Sequence, residues 1–124
     1  MNSFTFTIPC TPPSVNTYVR HARGNHYKTK AVKAFVEEVS LSYRALGVSL
    51  GAFSVSKNYS VSALVQCKNR RSPDVDNFAK LILDSLVHVG IMQDDRYVSE
   101  ICIRKAIVAD QEPFTQITVT RLDV

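Results

Sequence analysis

A chain of 124 residues is the size of one domain. Its 45% hydrophobic and 21% charged residues exclude a disordered chain and allow a modest buried core. A formal net charge of +4 points toward a polyanionic partner, and no stretch is long and apolar enough to span a membrane. Met1–Asn2–Ser3–Phe4–Thr5 lacks the basic start and apolar run of a secretory signal, so the expected compartment is the cytoplasm.

Phe4, Phe6 and Ile8 alternate with Thr5 and Thr7, the pattern of a half-buried strand, which Pro9, Pro12 and Pro13 end. Residues Ser14 to Thr29 show no clear period and read as a long polar loop. From Lys30 to Leu46, the apolar residues Val32, Phe35, Val36, Val39, Tyr43 and Leu46 recur at helical spacing, with Gly47 as a stop. A turn region follows through Gly51 to Lys57. Tyr59, Val61, Ala63, Val65 and Cys67 then form a period-two row, a strand that runs into Lys68–Asn69–Arg70–Arg71. Pro73 interrupts regular structure. A second helix is expected from Asp76 to Val89, apolar around much of its circumference and stopped by Gly90. Asp94–Asp95–Arg96–Tyr97 reads as a polar turn, and Ile101, Ile103 and Ile107 mark a strand over Val98–Val108. Asp110–Gln111–Glu112–Pro113 reads as a hairpin turn into a last strand, marked by Ile117 and Val119, that ends near Arg121. The order β-α-β-α-β-β predicts one α+β domain over residues 1–124, a mixed sheet packed with two main helices.

The positive charge is clustered. Arg20, Arg23, Lys28, Lys30 and Lys33 crowd one N-terminal stretch with His21 and His26 among them, and Lys68, Arg70 and Arg71 crowd the approach to Asp74. Both clusters read as phosphate contacts. Either cluster alone is equally at home on a solvated surface. Neither lies on a helix with a broad apolar face and aromatic anchors, so membrane binding is not expected. Cys10, Cys67 and Cys102 are odd in number and far apart, without zinc spacing, and are expected to be reduced.

The informative segment is Asp74–Val75–Asp76–Asn77, with Lys80 four residues after Asp76 and a second acidic pair, Asp94–Asp95, after Gly90. If the segment is extended, both carboxylates point the same way. Such a pair suits magnesium, which takes one or two carboxylates plus waters and phosphate oxygens. The helix between the acidic pairs spans roughly 20 Å. Asp94 or Asp95 can therefore join the first pair only if the chain turns back after Gly90 or if a dimer partner supplies it. A structural alternative exists for each residue: Asp76 or Asn77 can cap the helix, Asp74 can complement its dipole, and Lys80 can form a surface ion pair with Asp76.

The full pattern, Asp74–Val75–Asp76–Asn77, Lys80, Asp84, Leu86, Gly90 and Asp94–Asp95, resembles the RusA family of Holliday-junction endonucleases. Pro12–Pro13–Ser14, Asn16, Tyr18, Arg20–His21 and Gly24 before His26–Tyr27 resemble the same family. The resemblance implies a RusA-like fold and a homodimeric, Mg²⁺-dependent nuclease, with Mn²⁺ as a substitute ion. Such an enzyme makes paired symmetric nicks in four-way DNA junctions during recombination and repair, leaving 5′-phosphate and 3′-hydroxyl ends, and is at home in prophages. By motif position Asp74, Asp76 and Asp95 would be the catalytic, metal-binding carboxylates, with Asp94 as supporting neighbour or further ligand. Lys80 would be the catalytic lysine, and Arg70 and Arg71 the basic residues that precede the first Asp. Rival readings are a branched-DNA-binding protein without catalysis, in which the carboxylates only cap helices, and a nuclease that prefers flaps or forks.

Overall fold

A computed structural model describes residues 2–13, 19–22, 25–28, 30–70 and 74–123, with backbone alone for 19–22 and 25–28. The elements in chain order are β1 (Ser3–Ile8), β2 (Val19–Ala22), β3 (Asn25–Lys28), α1 (Lys30–Ala45), β4 (Tyr59–Cys67), α2 (Val75–Val89), β5 (Val98–Ile107) and β6 (Phe114–Arg121). Short 3₁₀ turns lie at Gly51–Phe53 and Asp95–Tyr97.

The main sheet has the order β1-β6-β4-β5. β6 pairs antiparallel with β1 and β4, whereas β5 runs parallel to β4. The sheet is therefore mixed, as expected of an α+β domain. The expected hairpin across residues 110–113 does not form. The chain does reverse there, with the Gln111 N–H donating to the Val108 carbonyl at 3.3 Å, but β6 passes over β4 and inserts between it and β1. The reason is connectivity: β4, α2 and β5 form a parallel crossover that leaves β5 on the outside edge. The expected loop over Ser14–Thr29 also differs, because β2 and β3 pair antiparallel in the register Val19↔Lys28 to Ala22↔Asn25. Two four-residue strands without apolar alternation leave no periodic trace in the sequence.

One face of the sheet is buried. Along it Phe4, Val119 and Val61 share a row, as do Phe6, Ile117 and Ala63, and Ile8, Thr115 and Val65. The opposite face is polar, with Ser3 against Thr120 at 3.0 Å and Thr5 against Thr118 at 2.7 Å. Both helices cover the apolar face. α1 presents Val32, Phe35, Val39 and Tyr43, one stripe at three- and four-residue steps. α2 presents Phe78, Leu81, Ile82 and Leu86. It ends in a Schellman motif: Gly90 takes φ 94°, its N–H reaches Val87 O at 3.1 Å, and Ile91 N–H reaches Leu86 O at 3.0 Å. Ile91 and Met92 are then buried, which fixes where the chain goes next.

Candidate active site

The helix-start carboxylates come first. α2 opens at Val75, one residue earlier than the periodicity suggests, so Asp74 occupies the N-cap position and Asp76 the first turn. Asp74 has extended backbone angles (φ −69°, ψ 160°), while Asp76 is already helical. The pair is thus carried by a helix start and not by a strand, which corrects the extended geometry considered above. Neither Asp76 nor Asn77 is the cap. Asp74 holds that position but makes no side-chain cap hydrogen bond; the turn is closed by the Asn77 N–H to the Asp74 backbone carbonyl at 3.0 Å. Both carboxylates are exposed. A capping Asp normally turns its oxygen back onto the first turn, and here that oxygen is left to the solvent side. At the same time the four unpaired N–H groups of the helix start favour negative charge in front of them.

Lys80 forms an ion pair with Asp84, one turn further along, at 3.5 Å. The Lys80 side chain is 63% exposed and that of Asp84 27%, so the pair contributes modestly to stability. Lys68 leaves the end of β4 and pairs with the exposed Glu112 at 3.7 Å, and Arg70 is exposed in the turn that follows. Arg71 and Arg23 lie outside the described residues. Arg20 and Lys28 lie on β2 and β3, across from Tyr27 and Val19 respectively, and Lys30 is exposed at the start of α1.

The second acidic pair sits elsewhere. After Gly90 the chain does not turn back along α2. It continues through Ile91 and Met92 into β5, whose first residue Val98 is level with Tyr59, the first residue of β4. Asp74 and Asp76 follow the far end of β4, while Asp94 and Asp95 precede the near end of β5. The two pairs are therefore separated by the length of α2, roughly 20 Å at 1.5 Å per residue. Consistent with this, no group of three or more His, Cys, Asp or Glu residues among the described residues comes together as a metal cluster.

Asp94 and Asp95 also differ from each other. Asp94 caps the 3₁₀ turn: its Oδ1 accepts the Arg96 N–H at 2.9 Å and its Oδ2 lies 3.9 Å from Arg96 Nε. The backbone hydrogen bond from Arg96, more than the guanidinium charge, holds the Asp94 carboxyl below its ordinary range. Asp95 is exposed.

A cluster that sequence reasoning missed stands beside Asp95. Lys57 Nζ donates to the Tyr97 hydroxyl at 3.1 Å and to Gln93 Oε1 at 3.3 Å. Arg96 donates to the same Tyr97 oxygen at 3.0 Å. The two cations lie 4.4 and 5.0 Å from the Tyr97 ring centre. Lys57 and Tyr97 are 40 residues apart in the chain. Only the Tyr59↔Val98 register brings them together, so no local signal could have found them.

Comparison with known proteins agrees with the motif. The model of the endodeoxyribonuclease RusA family matches residues 9–120. The crossover junction endodeoxyribonuclease rusA of Enterobacteria phage HK97 is 30% identical over 107 residues, covering 86% of each chain. The enzymes of the same name from Escherichia coli and from Enterobacteria phage 82 are each 30% identical over 100 residues, covering 79% of this chain and 78% of theirs. A match over nearly the whole chain, together with the mixed sheet and the Asp74–Asp76 helix start, shows that the chain belongs to the RusA family of endodeoxyribonucleases.

Proposed function

We propose that this chain is a Mg²⁺-dependent, homodimeric endodeoxyribonuclease that resolves four-way DNA junctions by paired nicks, in the recombination and repair of DNA, within a prophage or its host. The observation that carries this reading is the helix start of α2: two exposed carboxylates, Asp74 and Asp76, with Asp74 at the cap position but not used as a cap. A capping role would have engaged that oxygen with a first-turn N–H.

The donor set fits a hard cation. Carboxylate oxygens suit Mg²⁺, or Mn²⁺ in its place, and six-coordination leaves room for waters and substrate phosphate oxygens. Asp74 and Asp76 of one copy would hold the ion with Asp95 of the partner subunit, while Asp94 keeps the 3₁₀ turn that carries Asp95 in shape. When bound, the ion supplies a water of lowered pKa and Lewis-acid stabilisation of phosphate charge. Lys80, on the first turns of the same helix, would exchange its ion pair for a phosphate oxygen, adding positive charge where negative charge develops. Arg70, Arg71 and Lys68 lie ahead of the carboxylates, and Arg20, Arg23, Lys28 and Lys30 on and around the β2–β3 ribbon. Both sets neutralise backbone phosphates and set the position of the duplex arms.

Two features support the second copy. The acidic pairs lie at opposite ends of α2, so one chain does not complete the ligand set. And β5 offers an open edge of ten residues whose inward row continues the core, yet Ile101 and Ile107 remain 41% and 37% exposed. A two-fold dimer then has two equivalent sites, which suits two opposed strands of a junction.

The test uses the purified chain and its Asp76→Asn variant on a labelled immobile four-way junction, on a flapped duplex and on a linear duplex, with and without Mg²⁺. The expected result is paired nicks in the junction, dependent on Mg²⁺ and lost in Asp76→Asn while junction binding persists. Cutting of the flapped duplex in preference to the junction overturns the junction specificity. Tight junction binding without cutting at any Mg²⁺ concentration overturns the enzymatic reading in favour of a binding module.

A further inference from the structure

The Lys57–Tyr97–Arg96 cluster gathers two cations on one phenol oxygen. A tyrosine hydroxyl has two acceptor lone pairs and one proton to donate. In Tyr97 both acceptor positions are taken, by Lys57 Nζ at 3.1 Å and by Arg96 at 3.0 Å. Its own O–H is left to point outward to a third group.

Among the described residues Asp94 is the carboxylate paired with Arg96, at 3.9 Å, and none is paired with the Lys57 ammonium, whose partners are the neutral Gln93 and Tyr97 oxygens. Asp123 is also near, its Oδ2 accepting the Lys57 backbone N–H at 2.8 Å. Two cations drawn onto one uncharged oxygen repel each other unless an anion joins them. Lys57 still has one of its three N–H donors unused, and the Arg96 guanidinium keeps several of its five. Lys57 and Arg96 are both exposed, and Arg96 and Tyr97 lie just ahead of β5, next in sequence to Asp95. A phosphodiester, with two non-bridging oxygens and one negative charge, fits that donor set.

We propose that Lys57, Tyr97 and Arg96 form an anchor for a backbone phosphate of the nucleic acid substrate, next to the strand being cut at Asp95. This proposal rests on the nuclease reading for what the anchor serves, but not for its chemistry. As positioning residues they would hold the strand while the carboxylates and Lys80 act on it.

The experiment measures junction affinity across a salt series without Mg²⁺, for the full chain and for Lys57→Gln, Lys57→Arg and Tyr97→Phe, with thermal melts alongside and nicking rates with Mg²⁺. Each phosphate neutralised contributes about 0.9 to the slope of log K against log salt. Lys57→Gln is expected to lower the slope by about one for each anchor engaged, and Lys57→Arg to restore it. Tyr97→Phe is expected to weaken junction binding by roughly 5- to 10-fold, as for one or two lost hydrogen bonds, and to slow nicking. An unchanged slope and affinity in Lys57→Gln and Tyr97→Phe, with a lowered melting temperature, would reduce the cluster to a loop clasp and overturn the anchor, while leaving wild-type junction cutting intact. The anchor stands if the slope changes even where the wild type fails to cut, in which case the nuclease reading alone fails.

Discussion

The separation of the two acidic pairs makes a quantitative prediction about mixed dimers. Metal–oxygen bonds are about 2.1 Å long, so carboxylates at the two ends of a helix of roughly 20 Å do not share an ion within one copy. If the site is shared between copies, Asp76→Asn and Asp95→Asn each destroy both sites of their own homodimer. A mixed dimer of the two variants is different: one site carries both defects and the other carries none. Random reassociation of equal amounts gives about half mixed dimers, and each has one good site of two, so nicking should return to about a quarter of the wild-type site count. The nicks should be unpaired, because a mixed dimer has one working site. The assay is denaturing electrophoresis of a junction labelled on each strand in turn, after the two variants are unfolded and refolded together, with different affinity tags to verify mixed dimers. No recovered nicking in verified mixed dimers would place Asp76 and Asp95 in the same copy's site and refute the geometric argument.

Further outcomes follow from individual contacts. Lys80→Met should abolish nicking and leave the urea midpoint nearly unchanged, because the Lys80–Asp84 pair is solvent-exposed and such pairs are worth about 0.3–0.5 kcal/mol at most. Gly90→Ala should destabilise by about 1–2 kcal/mol, the cost of a left-handed backbone for a residue with a Cβ. Open space around that Cβ makes the cost one of conformation alone, and urea unfolding reads it. Leu86→Ala, at a fully buried site between α2 and the sheet, should cost about 2–5 kcal/mol, a large part of a total of about 5–15 kcal/mol, and should broaden or abolish the thermal transition. The Asp94 carboxyl is depressed in the folded state, so its contribution is complete above the ordinary carboxylate range near pH 4 and is lost as pH falls toward its lowered folded value. Asp94→Asn should therefore flatten stability against pH below about pH 4, as followed by acid unfolding, with little change in slope at neutral pH.

Much of this protein was legible along the chain because the relevant signals are local. Alternation over Phe4–Ile8 and Tyr59–Cys67 and helical spacing over Val32–Tyr43 and Phe78–Leu86 reflect burial of one face of each element, and Gly90 ends α2 because few other residues accept φ 94°. The spacing of Asp74, Asp76, Lys80, Gly90 and Asp94–Asp95 likewise pointed to the family from sequence, since the motif lies on one continuous stretch. The β2–β3 ribbon was silent because its pairing is made by backbone hydrogen bonds and not by an apolar period.

What the tertiary structure alone decided concerns the order of strands and the company each side chain keeps. Insertion of β6 between β1 and β4 depends on pairing between residues 48 or more positions apart, which no local pattern encodes. The parallel β4–α2–β5 crossover sets Asp74 and Asp76 at one end of a helix and Asp94 and Asp95 at the other. The same crossover brings Lys57 onto Tyr97 through the Tyr59↔Val98 register. Sequence determined the family motif, because residue type and spacing are local properties. The fold determined which of its residues can meet, because distance in space is set by strand pairing across the whole chain.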